Sequence, residues 1–144
     1  MTFRKPAAIA AQILLISCAV SAHERELVWS DDFDGTSLNT EVWNIIEGNG
    51  CPQNCYFGNN EKQTYTKNAE NLRLEDGKLV IEAHKGDGFT SAKITSEGML
   101  GWTYGRIEMR AKLPTGVGTW PAMWMLPTDW AYGGWPDSGE IDIM

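Results

Sequence analysis

The chain has 144 residues, with 12 Lys and Arg against 19 Asp and Glu, so its formal net charge is −7 at neutral pH. Hydrophobic residues make up 42% and charged residues 22%, which is typical of a globular domain rather than a disordered chain. An acidic surface without a Lys or Arg cluster repels phosphate groups, which argues against nucleic acid or an anionic membrane as a partner. The length fits one domain.

Residues 1–22 have the pattern of a secretory signal peptide. Arg4 and Lys5 precede an apolar run over residues 7–20, and the sequence Val-Ser-Ala at residues 20–22 matches a cleavage site. A membrane span needs about 20 mostly apolar residues, and this run is shorter, so no span is predicted. We therefore expect export to the periplasm or the medium. The mature chain, residues 23–144, then has 10 basic and 19 acidic residues, a charge of −9.

Lipidation is an alternative fate for the N-terminus. Residues 15–18 (Leu-Ile-Ser-Cys) resemble a bacterial lipobox, in which Cys18 would become the lipidated first residue. The folded domain is expected to begin near Leu27, which leaves almost no tether after Cys18. Cleavage before His23 is therefore the favoured interpretation.

The remaining cysteines, Cys51 and Cys55, are separated by three residues in a segment that contains Gly50 and Pro52. In an oxidising compartment this spacing predicts a local disulfide. Metal binding or free thiols are the alternatives. Zinc would require further ligands, and His84 has no spacing that matches a zinc site.

After residue 22 the chain shows short period-two patterns between Gly, Asn, Asp and Pro, without a sustained helical period. The clearest strand is predicted over residues 105–113, where apolar and charged residues alternate. The other predicted strands cover residues 27–30, 42–46, 63–66, 78–83, 93–96 and 140–144. Many short strands without helices predict an antiparallel sandwich or barrel. Since no turn residue closes the last strand, we expect the sequence to be a fragment of a larger domain.

Two acidic residues in the last predicted strand are candidates for catalysis. Glu140 and Asp142 are two residues apart, so a strand projects both carboxylates from one face, with Ile141 and Ile143 directed to the core. Like charges about 7 Å apart are unfavourable unless they serve a purpose. Two acids on a solvated strand face are the simpler explanation when such a pair stands alone.

The density of tryptophans near this acidic pair favours a functional site over a solvated strand face. Four of the seven tryptophans fall within sixteen positions, between Trp120 and Trp135, immediately before Glu140. Strand alternation can place Trp120 and Trp124 on one face, where indoles would stack on sugar rings beside paired acids. Core packing accounts better for Trp29 and Trp43.

Five segments together carry a family resemblance. They are VWSDDFDG at residues 28–35, GNNEKQTYT at 58–66, YGRIEMRAKLP at 104–114, WPAMWML at 120–126 and GEIDIM at 139–144. In this order they resemble glycoside hydrolase family 16, and within it the β-1,3-glucanases, or laminarinases. The resemblance covers nearly all of residues 27–144. It implies an antiparallel β-jelly-roll sandwich of the concanavalin-like type, incomplete in this sequence, with residues 23–144 as the N-terminal part of the catalytic domain.

The resemblance also implies roles for single residues. In the family signature the equivalent of Glu140 is the nucleophile and that of Asp142 is its helper, followed by a glutamate that acts as acid and base. The sequence stops one position short of that glutamate, so we expect the 144-residue chain alone to be inactive. The full-length protein is expected to hydrolyse internal β-1,3-glucosidic bonds with retention. No cofactor is expected for this chemistry.

Substrate contacts and a metal site follow from the same resemblance. Trp120, Trp124 and Trp135 resemble sugar-stacking platforms, and Asn60 resembles a polar contact to glucose. Glu108 and Arg110 resemble side chains that line the glycone subsites, although ordinary exposed strand charges explain them nearly as well. Asp32 and the Gly77 carbonyl could form part of a structural calcium site.

Two other functions stay open at this point. The same fold could act on mixed-linkage β-glucan, agarose or carrageenan. A β-glucan-binding protein without catalysis is a different class, and the presence of Glu140 and Asp142 speaks against it. In every case the expected partner is a polysaccharide, and the sequence does not indicate an oligomeric state.

Overall fold

The protein is described by a computed structural model in which residues 25–144 are placed. The predicted signal peptide and Cys18 lie outside the described residues. Residues 25–31 contain no helix or strand, so the strand predicted over residues 27–30 is wrong. The described strands are β1 (Asn44–Ile46), β2 (Gln63–Tyr65), β3 (Leu72–Leu74), β4 (Leu79–Ile81), β5 (His84–Lys85), β6 (Phe89–Ser91), β7 (Lys93–Thr95), β8 (Trp124–Met125) and β9 (Ile141–Asp142).

The strands form four small sheets. Antiparallel pairs join β1 to β7, β3 to β4, β5 to β6 and β8 to β9. β2 pairs with β6 in parallel, so β2, β6 and β5 form one three-stranded sheet. A 3₁₀ segment, Cys55–Gly58, is the one helical element of the described residues. The prediction of an all-β, mainly antiparallel fold is therefore confirmed.

The β3–β4 hairpin shows how the local sequence determines the fold. Asp76 and Gly77 both have positive φ, at 51° and 64°, as a two-residue hairpin turn with the right twist requires. The amide of Glu75 donates to the Lys78 carbonyl at 2.9 Å and closes this turn. Arg73 on β3 contacts Glu75 and Glu82, which directly follow β3 and β4, and these contacts raise the pKa of Arg73 and lower that of Glu75.

The buried centre of the described residues contains a polar side chain. Leu72 and Ala92 are each 7% exposed, and Asn71 is fully buried. The Asn71 amide nitrogen donates to the Glu82 carbonyl and to the Thr90 hydroxyl, and its oxygen accepts from the Thr66 hydroxyl. Because each of these groups has a partner, burial leaves no polar atom of Asn71 unsatisfied.

The strand predicted over residues 105–113 is wrong for this structure. These residues form no ladder, and Ile107, Met109 and Leu113 are 42%, 48% and 43% exposed. The alternating pattern is real, but a strand also needs a hydrogen-bonded neighbour, and none of residues 25–144 provides one here. Ile141 and Ile143, predicted to point into the core, are likewise 63% and 37% exposed, because no described element covers them.

Candidate active site

The β8–β9 pair brings a tryptophan and a carboxylate together. Trp124 lies directly opposite Asp142, and Met125 lies opposite Ile141. Residues directly opposite in an antiparallel pair project from the same face, with Cβ atoms about 5 Å apart. Met123 extends the pairing, since its amide donates to the Met144 carbonyl and its carbonyl accepts from the Ile143 amide. The Trp124 indole and the Asp142 carboxylate therefore share one face of this small sheet.

Glu140 enters the same face from the preceding turn. Gly139 has φ +83°, a left-handed conformation that favours glycine, and its amide donates to the Pro136 carbonyl at 2.9 Å. Glu140 follows this turn two residues before Asp142, so the two carboxylates lie on the same side of the strand. The Trp135 Nε1–H group donates to Glu140 Oε2 at 2.9 Å.

The loop that carries Trp135 is held by its own hydrogen bonds. The Ser138 hydroxyl donates to the Gly133 carbonyl at 2.5 Å and accepts from the Tyr132 amide at 3.1 Å. The amide of Asp137 donates to the Gly134 carbonyl at 2.8 Å. These bonds fix the path of the chain just before Glu140. Without them the loop could take several paths.

A lysine connects this face to the rest of the protein. Lys93 on β7 is half-buried, and its ammonium group lies 4.5 Å from the ring centroid of Phe57, 5.1 Å from that of Trp124 and 5.7 Å from that of Tyr65. Burial lowers the pKa of Lys93, while the negative charges of Glu61 and Glu140 act in the opposite direction. Both carboxylates thus favour the charged form of Lys93.

Three polar side chains of the segment before and within β2 form a network next to Lys93. The Tyr65 hydroxyl donates to Glu61 Oε2 at 2.7 Å, and the Gln63 amide donates to the same oxygen at 3.0 Å. Burial and the Glu61 carboxylate raise the pKa of Tyr65 far above its usual range, so the phenol keeps its proton. Sequence analysis missed Glu61, Gln63, Tyr65 and Lys93. For Glu61, Gln63 and Tyr65 the signal was the period of two from residue 61 to 65, which places three polar groups on one face. Lys93 lies on another strand, outside that pattern.

Phe57 reaches Lys93 from a loop that contains a disulfide. Cys51 and Cys55 are bonded, with their Cα atoms 4.1 Å apart. The loop closes where Gly48 and Tyr65 exchange two backbone hydrogen bonds of 2.9 Å. The ring of Phe57 lies 5.3 Å from that of Tyr65, so this loop contributes one wall around the ammonium group.

For the other predicted substrate contacts, the described residues show no direct link to this group. Trp120 is 80% exposed and belongs to no strand. Asn60 is exposed with φ 56°, Glu108 forms an ion pair with Arg106, and Arg110 is exposed. Within residues 25–144, no hydrogen bond, ion pair or ring contact links these four residues to Glu140 or Asp142. Their roles stay predictions.

The proposed calcium donors do not form a site by themselves. Asp32 and Gly77 are both exposed, and the Gly77 carbonyl lies in the β3–β4 turn. Their oxygens are suitable in kind, but Ca²⁺ takes about six to eight oxygen ligands. No group of three or more His, Cys, Asp or Glu that could hold a metal ion is found in the part of the chain that the structure describes. Asp32 and the Gly77 carbonyl as calcium ligands therefore stay a prediction, and no step of the chemistry depends on calcium.

The group formed by Glu140, Asp142, Trp124 and Trp135 has a definite chemical capacity. Exposed indole faces bind the apolar faces of sugar rings, and an exposed carboxylate can attack an anomeric carbon or direct a proton. Trp135 is 68% exposed and Trp124 is half-buried, and both indoles lie with the carboxylates, a combination of groups that carbohydrate cleavage uses.

The family profile described as "XgeA-like, catalytic GH16 domain" matches residues 48–144. The chain belongs to glycoside hydrolase family 16. The predicted family is therefore confirmed, and so is the all-β jelly-roll fold.

Family 16 relatives are similar along most of the chain. A β-glucanase of Rhodothermus marinus is 46% identical, over 91% of this chain and 49% of its own length. A glucan endo-1,3-β-glucosidase of Cryptopygus antarcticus is 47% identical, over 91% of this chain and 49% of its own length. The crystal structure of a laminarinase from Flavobacterium sp. UMI-01 is 51% identical with a TM-score of 0.77, over 83% of this chain and 51% of that one. The chain thus spans about half the length of these relatives.

Proposed function

We propose that the full-length protein containing this chain is an endo-β-1,3-glucanase that hydrolyses laminarin-type β-glucans with retention. The observation that carries the proposal is the shared face of Trp124, Trp135, Glu140 and Asp142. The similarity to a glucan endo-1,3-β-glucosidase and to a laminarinase supports the linkage. The net charge of −7 suits a neutral glucan better than a polyanion.

The mechanism is a double displacement at the anomeric carbon. Glu140 attacks that carbon and forms a glycosyl-enzyme, while a second carboxylic acid protonates the leaving oxygen. The family signature places this second group, a glutamate, directly after Met144. The same group then takes a proton from water, which releases the sugar and restores Glu140. Asp142 lies beside Glu140 and is the helper, and the Trp135 N–H orients the attacking carboxylate.

We also propose that the protein is exported and that signal cleavage before His23 releases it to the periplasm or the medium. The pattern of residues 1–22 supports this, as does a polymeric substrate that a cell meets outside its membrane. No helix in residues 25–144 has the length and apolar character needed to cross a membrane.

The first test compares the full-length wild-type protein with Glu140→Gln on laminarin. We expect the wild type to release reducing ends, and the variant to lose about 10³-fold or more in kcat, because the amide cannot form the glycosyl-enzyme. Glu97→Gln is the matched control. Glu97 is exposed and outside the site, so this variant should keep wild-type kcat.

The same assay separates the competing functions. Wild-type activity on lichenan or agarose without activity on laminarin would keep the fold and reject the proposed substrate. Laminarin binding without hydrolysis would favour a non-catalytic glucan-binding protein. Full activity of Glu140→Gln would reject the proposed nucleophile.

A further inference from the structure

Lys93 is placed in a way that a surface lysine seldom adopts. Long cationic side chains normally lay their stem on apolar surface and extend the charge into water. Lys93 instead keeps its ammonium group within 6 Å of three ring centroids, those of Phe57, Tyr65 and Trp124. Such distances are typical of cation–π contacts.

The three rings come from different parts of the chain. Phe57 belongs to the disulfide loop, Tyr65 to β2 and Trp124 to β8. Lys93 itself lies on β7, which pairs with β1 and not with β8. The ammonium group therefore contacts side chains from β8, from β2 and from the disulfide loop at the same time.

The rings, rather than a carboxylate, are the direct partners of the charge. Among residues 25–144 no carboxylate oxygen lies within 4.0 Å of the Lys93 ammonium nitrogen. Glu61 and Glu140 act on it from farther away through their charges, and Tyr65 faces it as a protonated phenol. A side chain that served only an ion pair would lie against one of these acids.

We propose that Lys93 is a positioning residue that holds the Trp124 indole at the orientation in which it receives a sugar ring beside Glu140. The proposal rests on the proposed function, since it assigns the part that Lys93 plays at that same site. Trp124 is half-buried and shares its face with Asp142, so a rotation of the indole would move the sugar relative to both carboxylates. The cation favours the orientation in which the indole face is turned toward the ammonium group.

The charge and the bulk of Lys93 can be separated by substitution. Methionine has a similar length and fills the same space without a charge, while arginine keeps the charge and the capacity to stack on rings. A role in packing alone predicts that Lys93→Met is tolerated. A role in positioning predicts that Lys93→Met fails and Lys93→Arg restores the function.

The test measures kcat and KM of the full-length protein on laminarin for wild type, Lys93→Met and Lys93→Arg. We expect Lys93→Met to raise KM about fivefold to tenfold with less than a twofold change in kcat, as loss of binding common to ground and transition states produces. Lys93→Arg should stay within about twofold of wild type in both constants. Lys85→Met is the matched control. Lys85 lies 6.0 Å from the ring centroid of Phe89, outside the site, and its loss should leave KM unchanged.

Two results would overturn the proposal: a wild-type KM for Lys93→Met, or an arginine variant as impaired as the methionine variant. If Lys93→Met does not fold, Lys93→Gln makes the same comparison. Acrylamide quenching of tryptophan fluorescence gives a measurement that does not depend on activity. The Lys93→Met variant should differ from the wild type in quenching. The same substitution made in a Trp124→Phe background should cause no such difference.

Failure of the proposed function gives a different pattern. If the wild-type protein does not hydrolyse laminarin, the glucanase proposal is rejected. The quenching measurement then still tests whether Lys93 positions the Trp124 indole. Unchanged quenching in the Lys93→Met variant rejects that part as well.

Discussion

Tyr65 shows how one side chain can link stability to pH. Its hydroxyl donates to Glu61 and accepts from the Gln63 amide at 2.9 Å, while Lys93 faces its ring. Burial and Glu61 raise the pKa of Tyr65 above its ordinary value of 10.0. The folded protein therefore holds this proton more tightly than the unfolded chain. The resulting stabilisation is complete below pH 10.0 and is lost as the pH rises from there toward the folded pKa.

We expect Tyr65→Phe to be less stable than wild type at pH 7, with a smaller difference at pH 11. Phenylalanine has no hydroxyl to donate to Glu61, so the variant has no such contribution to lose at high pH. Urea unfolding of the full-length protein at both pH values measures the two differences. Tyr132→Phe, at a position 83% exposed, is the control and should match wild type at both. A difference for Tyr65→Phe that grows with pH would contradict the assignment.

At the scale of secondary-structure elements, the hydrogen bonds of Asn71 join strands that are too short to bury much apolar surface. Strands of two or three residues bury little apolar surface, and Leu72 and Ala92 are the buried apolar residues of the described chain. Asn71 lies next to β3 and reaches β6 through Thr90 and the segment after β4 through the Glu82 backbone. The amide of Glu82 also donates to the Asn71 carbonyl at 2.9 Å. Asn71 thus connects the β3–β4 hairpin to the three-stranded sheet.

Replacement of Asn71 by alanine should destabilise the protein by about 2–4 kcal/mol, because it leaves a cavity and removes partners from buried polar groups. Urea unfolding of the full-length protein at neutral pH measures this loss. Asn68→Ala is the matched control, since its side chain is exposed and the substitution should cost less than about 0.5 kcal/mol. A loss at Asn71 no larger than that at Asn68 would contradict the bridging role.

The strands differ in how well their own sequence predicts them. Residues 63–66, 78–83 and 93–96 were predicted, and β2, β4 and β7 lie inside those ranges. The strands β3, β5 and β6 were missed. β5 and β6 together contain one apolar residue, Phe89, so they give no apolar alternation to detect. Residues 105–113 show the opposite case. Their alternation is the strongest in the sequence, but pairing depends on a neighbour that local sequence does not specify.

For the whole molecule, the sequence was enough to predict the family and the acidic pair. It was not enough to predict which side chains contact the site around that pair. Glu140 and Asp142 lie in a recognisable signature, and the strand period places them on one face. The hydrogen bond from Trp135 depends on the path of a loop of fifteen residues between β8 and β9, which no pattern specifies. Lys93 is about thirty residues from Trp124 in sequence, and only folding brings the two together.

The stereochemistry of the product tests the site as a whole, because it depends on the distance between two carboxyl groups. Separations of about 5–5.5 Å give retention through a glycosyl-enzyme, and about 6.5–9.5 Å leaves room for water and gives inversion. We expect the full-length protein to retain configuration. Proton NMR during the first minutes of laminarin hydrolysis should show the β-anomer of the new reducing end, with the α-anomer appearing only by later mutarotation.

The same NMR experiment with Glu140→Gln is the control, and it should show no new anomeric signal. Initial release of the α-anomer by the wild type would show that water, rather than Glu140, attacks the anomeric carbon. Glu140 would then have to act as a base, and the Trp135 hydrogen bond would orient it toward water instead of toward the sugar. Retention is therefore the result that ties the geometry of Glu140 to its proposed role as nucleophile.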